Sequence, residues 1–326
     1  MRAIVIDGFG GPEVLRLADI AEPVAGPGEV VIQVAYAGVN PVDWKAREGW
    51  LSQFFEYKFP FVPGFAGAGI ISQVGPDVAD YKVGDRVVTN SDQSIGKNGT
   101  YAEFVKTSAN RAAHLADHVD FQEGASIPTA AVTAWLATFN SGGLSAGQSV
   151  LVNGGAGGTG SFAIQFAKYA GARVATTCSP GNIDYVTRLG ADLAIDYRAN
   201  DVADAVLGWA PEGVDLIVDT VGQGTLKDGI RMVKAGGKIA TIGTLIKDEP
   251  AWDMDQAQQK NVEIIKTMSA YNRAGETLRT IVKLYNEGHF QPPAIEVLPL
   301  AEAAEAHRRI QGGHVRGKLL LKVSEL

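Results

Sequence analysis

Cysteine is nearly absent from this 326-residue chain, where Cys178 stands alone. One cysteine excludes a disulfide framework and any zinc site built from several thiolates. Positive charge is in deficit, with 29 Lys and Arg against 36 Asp and Glu. The net charge of −7 has no basic cluster to offset it, which argues against a nucleic-acid partner. No apolar run approaches the length of a membrane span, so no membrane partner is expected. Met1-Arg2-Ala3-Ile4-Val5-Ile6-Asp7 reads as a short strand, interrupted too soon to be a signal peptide. A cytoplasmic protein is the expectation. Internal repeats and low-complexity linkers are missing. The histidines are His114, His118, His289, His307 and His314, and they suggest no Ser-His-Asp arrangement. His114 and His118 have the spacing of a metal pair on a helix, but their segment lacks helical periodicity and reads as a connection. Tyr57-Lys58 and Tyr81-Lys82 do not make a Tyr-x-x-x-Lys pair.

What remains is an ordinary globular composition, 46% hydrophobic and 20% charged, long enough for two domains. Residues 1–125 read as β-rich. Strands are predicted at 29–36, 69–75, 85–89 and 101–105, punctuated by Gly26-Pro27-Gly28, Pro63-Gly64, Gly75-Pro76-Asp77 and Gly84-Asp85. From 126 the rhythm changes. A helix over 129–139 leads into strands at 150–153, 173–178, 193–197, 215–221, 238–243 and 262–268, with helical spacing between them. Six strands alternating with helices predict an α/β, doubly wound parallel sheet. Past residue 270 come helices at 277–285 and 300–310 and a last strand at 318–323. That strand needs a partner, so the tail is expected to return to the first domain.

Chemistry enters with Gly154-Gly155-Ala156-Gly157-Gly158-Thr159-Gly160, set between the apolar Val150-Leu151-Val152 and a helical pattern from Phe162. Gly155, Gly157 and Gly160 fit G-x-G-x-x-G in the strand–turn–helix context that makes it a dinucleotide fingerprint. The first glycine permits the turn, the second lets a pyrophosphate approach, and the third lets helix and strand pack closely. Free N–H groups at the helix N-terminus then face the phosphates, and Gly158 and Thr159 are counted with the turn as cofactor-binding residues. Gly222 and Gly243 close the fourth and fifth strands, where dinucleotides bind in such sheets. NAD sites place Asp or Glu at the end of the second strand. Here that strand ends Thr176-Thr177-Cys178-Ser179, with no carboxylate. Small hydroxyl residues leave room for a 2′-phosphate, so NADPH is expected ahead of NADH. Arg188 and Arg198 can supply charge, while Asp184 lies in the next helix.

Several further blocks resemble the medium-chain dehydrogenase/reductase superfamily, and within it the zinc-independent quinone oxidoreductase, or zeta-crystallin-like, group. They are Ala37-Gly38-Val39-Asn40-Pro41-Val42-Asp43, Val62-Pro63-Gly64 with Ala68-Gly69, Val83-Gly84-Asp85-Arg86-Val87, Thr133-Ala134-Trp135, Ala191-Asp192 through Asp196-Tyr197, and Arg316-Gly317-Lys318. The resemblance implies a GroES-like catalytic domain over 1–125, completed by 270–326, and a Rossmann NADP-binding domain over 126–269, with the cofactor in the cleft between them. Zinc enzymes of the superfamily carry Cys at or beside Asn40, His-Glu at Phe65-Ala66 and a four-cysteine lobe. Without those ligands no zinc is expected. The quinone reductases often have Tyr where Lys45 stands, and Lys near Asn182.

The resemblance implies reduction of a quinone by hydride transfer from NADPH. A 2-alkenal or enoyl acceptor is the alternative, and a crystallin-like or nucleic-acid-binding protein with secondary reductase activity is the alternative of another class. Asn40 is the candidate to line the site, although a turn residue before Pro41 reads equally well. Lys45 could stabilise an oxyanion or simply be exposed, and Asp43 could orient Lys45 or Arg47. Thr133 is expected near the nicotinamide, Ser179 near the 2′-phosphate and Tyr197 near the adenosine phosphate. Trp50, Phe54, Phe55, Tyr57, Phe59 and Phe61 either wall a flat substrate or belong to the core. The last strand of the parallel sheet would form an apolar edge, which predicts a homodimer.

Overall fold

The computed structural model describes residues 1–54, 56–91, 99–226, 228–242, 252–267 and 274–326. Gly243, Phe55 and the end of the strand expected at 262–268 lie outside the described residues. The chain forms two compact units, Met1–Ala130 with Tyr271–Leu326, and Ala131–Ala270.

The first unit begins with a ribbon of β1 (Arg2–Val5) and β2 (Arg16–Asp19), paired antiparallel. The valine- and isoleucine-rich β3 (Glu29–Val39) is the long strand of the main sheet, as its β-branched composition favours. The seven-residue α1 (Pro41–Arg47) follows it at once. The sheet continues through β4 (Ala66–Val74), β5 (Arg86–Asn90), β6 (Phe104–Ser108) and β7 (Ala112–His114). A strand is expected from Tyr101, but β6 starts at Phe104. Tyr101 and Ala102 serve β1 instead: the Tyr101 carbonyl accepts from Ile4 N at 2.8 Å and Ala102 bridges to Ala3. The chain leaves through α2 (Phe121–Ser126) and α3 (Pro128–Trp135). The helix expected over 129–139 stays α-helical only to Trp135, then widens into a π-helical stretch, Leu136–Ser141.

The second unit alternates strand and helix: β8 (Ser149–Asn153), α4 (Gly158–Tyr169), β9 (Arg173–Cys178), α5 (Ile183–Arg188), β10 (Leu193–Asp196), α6 (Val202–Trp209), β11 (Val214–Asp219), α7 (Gly229–Met232), β12 (Val233–Thr241), α8 (Met254–Gln259) and β13 (Glu263–Lys266). All neighbours are parallel, in the order β10-β9-β8-β11-β12-β13. This is the doubly wound sheet the sequence predicts. Every residue of β8 is buried, as a strand covered on both faces requires. Strand order reverses between β8 and β11, which makes their C-terminal ends the switch point where such sheets bind ligands. Phe162 and Phe166, one turn apart on α4, are wholly buried and stack at 5.9 Å. β13 is an edge strand of this sheet.

The C-terminal segment holds α9 (Ala274–Asn286), β14 (Ile295–Pro299), α10 (Ala303–Gln311) and β15 (Lys318–Lys322). β15 pairs antiparallel with the second half of β3, from Leu319 opposite Val39 to Lys322 opposite Tyr36. β6 takes the first half of the same strand. Residues from β1, β3, β6, α10 and β15 share one apolar core, among them Ile4, Ile32, Val105, Ala306 and Leu321. The distant ends of the chain therefore fold as one body.

Candidate functional site

The candidate residues fall into two sets, one in each unit. In the second unit, β8 runs into the glycine turn and α4. A methyl group at Gly155 would collide with Thr176 Oγ1, and one at Gly160 with the Gly154 carbonyl. Those two glycines are required by the turn itself. Gly157 differs. A Cβ there would meet nothing nearer than the Gly154 carbonyl at 3.6 Å, and its φ of −78° suits any residue. The protein alone therefore does not demand glycine at 157; a ligand approaching the backbone would. Gly157 is the N-cap of the twelve-residue α4, so the N–H groups of Gly158, Thr159 and Gly160 begin the helix without intrahelical acceptors.

The turn is pinned by the ends of its neighbours. Thr177 Oγ1 accepts from Gly154 N at 2.9 Å and donates to Asn153 Oδ1 at 2.6 Å. Asn153 Nδ2 donates to Asp219 Oδ1 and to Thr225 Oγ1, both at 2.8 Å. Asp219 Oδ1 also accepts from Gly222 N at 3.0 Å, which fixes the bend after β11. Gly222 thus lies three residues past the strand rather than at its end. Asp219 Oδ2 is buried without a partner among the described residues.

At the end of β9 the hydroxyls divide. Thr176 donates to the Val152 carbonyl at 2.7 Å and Thr177 is spent on the turn, so neither is available to a 2′-phosphate. Ser179 is half-buried, and its Oγ accepts from Asn182 Nδ2 at 3.0 Å. Burial pushes the Cys178 thiol up to about 11, helped by Asp196, so it stays protonated. Tyr197 is exposed, with the Arg198 guanidinium 5.8 Å from its ring centre. Thr133 is half-buried on α3.

In the first unit, Asn40 is the N-cap of α1, and 2% of it is exposed. Asp43, at the third helical position, reaches back to the cap: its Oδ2 accepts from Asn40 N at 2.7 Å. Its Oδ1 accepts from Phe65 N at 3.0 Å, and Tyr101 Oη donates to Oδ2 at 3.1 Å. Asp43 therefore does not orient Lys45 or Arg47, the role open to it from sequence. Its carboxylate is spent on the backbone N–H groups of Asn40 and Phe65 and on Tyr101. Burial raises its pKa to about 6, opposed by Asn40 N–H, Lys318, Tyr101 and Phe65 N–H in that order.

Tyr101 leads on to His307. Its Oη lies 3.2 Å from His307 Nε2, and His307 Nδ1 lies 3.1 Å from Arg47 Nη1. A guanidinium only donates, so Nδ1 accepts. The tyrosine proton goes to the carboxylate, so Nε2 carries the imidazole proton. Burial first, then the charge of Arg47, lowers the His307 pKa to about 3 and keeps the ring neutral. Arg47 also donates to the Gly10 carbonyl, Glu48 and Gln311.

Lys318, the first residue of β15, is 4% exposed. Its Nζ donates to Asn40 Oδ1 at 2.6 Å and to the Val39 carbonyl at 2.9 Å. Asn40 Nδ2 donates to the Gly38 carbonyl at 3.0 Å. Burial lowers the Lys318 pKa to about 8, and Asp43 opposes that shift.

Lys45 is half-buried, with Nζ 5.7 Å and 5.9 Å from the rings of Trp44 and Trp50. The aromatic run is split. Phe61 is buried against Tyr57 at 4.9 Å, whereas Phe54 and Phe59 are exposed, Phe59 packing edge-on against Phe9 at 5.2 Å. His114 ends β7 and stacks on Tyr81 at 4.7 Å, so it is not on a helix with His118.

The alcohol dehydrogenase GroES-like domain family matches residues 26–117, and a family described as zinc-binding dehydrogenase matches 189–321. The mitochondrial NAD(P)H oxidoreductase RTN4IP1 of Danio rerio is 34% identical, covering 100% of this chain and 92% of its own. Human quinone oxidoreductase is 31% identical, covering 98% and 97%. The chain belongs to the medium-chain dehydrogenase/reductase superfamily. Within it, the chain falls in the quinone oxidoreductase group and is an enzyme, an oxidoreductase. The chloroplastic NADPH-dependent alkenal/one oxidoreductase of Arabidopsis thaliana is 30% identical, covering 98% of this chain and 79% of its own. Among solved structures, an NAD-dependent alcohol dehydrogenase superposes with a TM-score of 0.91 at 31% identity, covering 99% of this chain and 100% of its own. A mycobacterial protein solved with NADPH superposes with a TM-score of 0.88 at 30% identity, covering 99% and 100%.

The positions that the resemblance compares with the superfamily's zinc ligands carry no thiolate or imidazole. Asn40 Oδ1 is already taken by an ammonium, which would repel a cation, and Phe65 and Ala66 are buried apolar residues without ligand atoms. Among the described residues no three His, Cys, Asp or Glu side chains cluster as metal ligands, and no helix is long and apolar enough to cross a membrane. Sequence reasoning missed Tyr101 and Lys318 as partners of Asp43 and Asn40, and His307 as the partner of Tyr101 and Arg47. His307 had one signal: it sits on the face of α10 that buries Ala303 and Ala306. Lys318 had no signal beyond Arg316-Gly317-Lys318 and its place at the start of the last expected strand.

Proposed function

We propose that the chain catalyses NADPH-dependent reduction of quinones without zinc. The observation that carries this reading is Gly157, where the protein leaves room for a side chain yet has none, at the head of a helix whose first N–H groups lack acceptors. Such a place receives a pyrophosphate. NADPH, when bound, supplies the hydride. Gly155, Gly158, Thr159 and Gly160 frame the phosphates, and Gly222, fixed by Asp219, borders the switch point. Thr133 contacts the nicotinamide. Ser179, Arg198 and Tyr197 receive the adenosine phosphate, at the end of a strand that carries no carboxylate of its own; Asp196, opposite Cys178 on β10, accepts from Arg198 N. The mycobacterial relative solved with NADPH supports this choice. Asn40 supplies the polar contact for the acceptor oxygen. Its Nδ2 has a second N–H beyond the one given to Gly38, and a donor aimed at developing negative charge accelerates reduction. Lys45 adds positive charge nearby. Asp43 shapes the loop that carries Asn40.

A conjugated alkenal or alkenone is the second reading for the acceptor, favoured by the Arabidopsis relative. The last parallel strand, β13, is proposed as the seam of a homodimer. Assay of quinol formation after exhaustive chelation tests the zinc-free reading. An undiminished rate supports it, and loss of rate restored by zinc overturns it.

A further inference from the structure

We propose that Lys318 is a positioning residue that sets the orientation of the Asn40 carboxamide, and so decides which of its atoms meets the acceptor. This rests on the reading that Asn40 faces the acceptor. An asparagine amide can sit in two orientations that exchange oxygen and nitrogen. Lysine is a donor only, so the atom 2.6 Å from its Nζ must be the oxygen. The Gly38 carbonyl is an acceptor only, so the atom facing it at 3.0 Å must be the nitrogen. The two contacts agree, and flipping the amide would set donor against donor and acceptor against acceptor. Lys318 therefore turns Nδ2, the donor end, away from itself and leaves it one N–H to give.

Holding an ammonium in this place requires an anion, because a lone buried charge is strongly disfavoured. Asp43 is that anion, and it is the charge that favours the ionised form of Lys318. Asp43 is in turn kept in place by Asn40 N, Phe65 N and Tyr101 Oη, and Tyr101 by His307. The tetrad thus links residues 43, 101, 307 and 318 to the orientation of one amide.

The test is a double-mutant cycle on quinone turnover using Asn40→Ala, Lys318→Met and the two together, with kcat and the KM for NADPH measured separately. Asn40→Ala lowers kcat about a hundredfold, as loss of an oxyanion donor does. Lys318→Met lowers kcat about tenfold or more, with the KM for NADPH unchanged, because orientation is lost while the cofactor turn is untouched. The double variant is no slower than Asn40→Ala alone. A double variant that shows the product of the two losses, or a Lys318→Met enzyme as fast as wild type, overturns the inference. General loosening of the fold would move the NADPH KM as well, and that result also counts against it. Should Lys318→Met not fold, Lys318→Gln replaces it in the same cycle. Its amide keeps a donor, so kcat lies between those of wild type and Asn40→Ala, and full activity in combination with a slowed Asn40→Ala overturns the inference. Wild-type enzyme inactive towards every acceptor overturns the functional reading and this inference together, whereas active wild type with an unaffected Lys318 variant overturns only the inference.

Discussion

Replacing Gly157 and Gly160 separately by alanine separates what the turn needs to fold from what it needs to bind. At Gly157 the new methyl lies 3.6 Å from its nearest neighbour, and φ −78°, ψ 171° is ordinary extended backbone. Alanine is a poorer N-cap than glycine by roughly 0.5–1 kcal/mol. The stiffer unfolded chain returns about 0.4–1 kcal/mol. The two offset, so Gly157→Ala melts within about 2 °C of wild type. Gly160→Ala is different in kind. Its methyl collides with the Gly154 carbonyl and lies 2.8 Å from Gly155 Cα, both backbone atoms that cannot rotate away. Overpacking of this sort costs about 1–3 kcal/mol, which lowers the melting temperature by several degrees. For cofactor binding, Gly157→Ala places a methyl where the pyrophosphate must approach, and affinity for NADPH falls at least about tenfold, or roughly 1.4 kcal/mol. Fluorescence titration with NADPH and thermal melting of both variants read the two effects. A Gly157→Ala protein that binds NADPH within about threefold of wild type would refute the assignment of this turn as the phosphate cradle.

Ser179→Asp installs the missing carboxylate at the end of β9, and steady-state kinetics should show at least about a tenfold swing in kcat/KM from NADPH towards NADH; an unchanged ratio would mean that Ser179 does not meet the 2′-phosphate. His307 is held neutral, with a pKa of about 3 against 6.5 when unfolded. A depressed basic group leaves stability intact above pH 6.5 and removes it as pH falls towards 3, by up to about 1.4 kcal/mol per pH unit. Asp43, raised from 3.8 to about 6, works in the opposite sense: stability falls as pH rises through that interval. Comparing wild type with His307→Gln isolates the histidine, and the variant's denaturation midpoint should be less sensitive to acid; equal slopes would contradict the buried neutral assignment. Light scattering should give twice the 34.4 kDa chain mass at micromolar concentration, and a monomer would remove β13 as a dimer seam.

The second unit was legible because its signals are local. Val150–Asn153, the glycine turn and Phe162–Ala167 follow one another along the chain, and the periodicity of each segment states its type. The switch point follows from strand order, which alternation of strand and helix all but dictates. The use of the hydroxyls at β9 was not legible. Thr176 and Thr177 look free in sequence, and only the packing of β8 against β9 shows them spent on Val152 and Asn153. The polar cluster of the first unit was hidden for a stronger reason. Asn40 caps one short helix and Asp43 lies on it, but Tyr101 comes from the connection before β6, His307 from α10 and Lys318 from β15, up to 278 residues away. A lysine opening the run Lys-Leu-Leu-Leu-Lys reads as the solvated end of an apolar strand. Nothing local reveals that β15 lies along β3 and brings that ammonium under Asn40. The π-helical widening after Trp135 likewise left no mark in the apolar pattern.

The measurement that bears most directly on the account is consumption of NADPH and of NADH, each against a set of quinones and a set of conjugated enals and enones. Quinone turnover with NADPH clearly preferred is the predicted result. Binding of neither cofactor, or turnover only of simple alcohols with NAD, would contradict it.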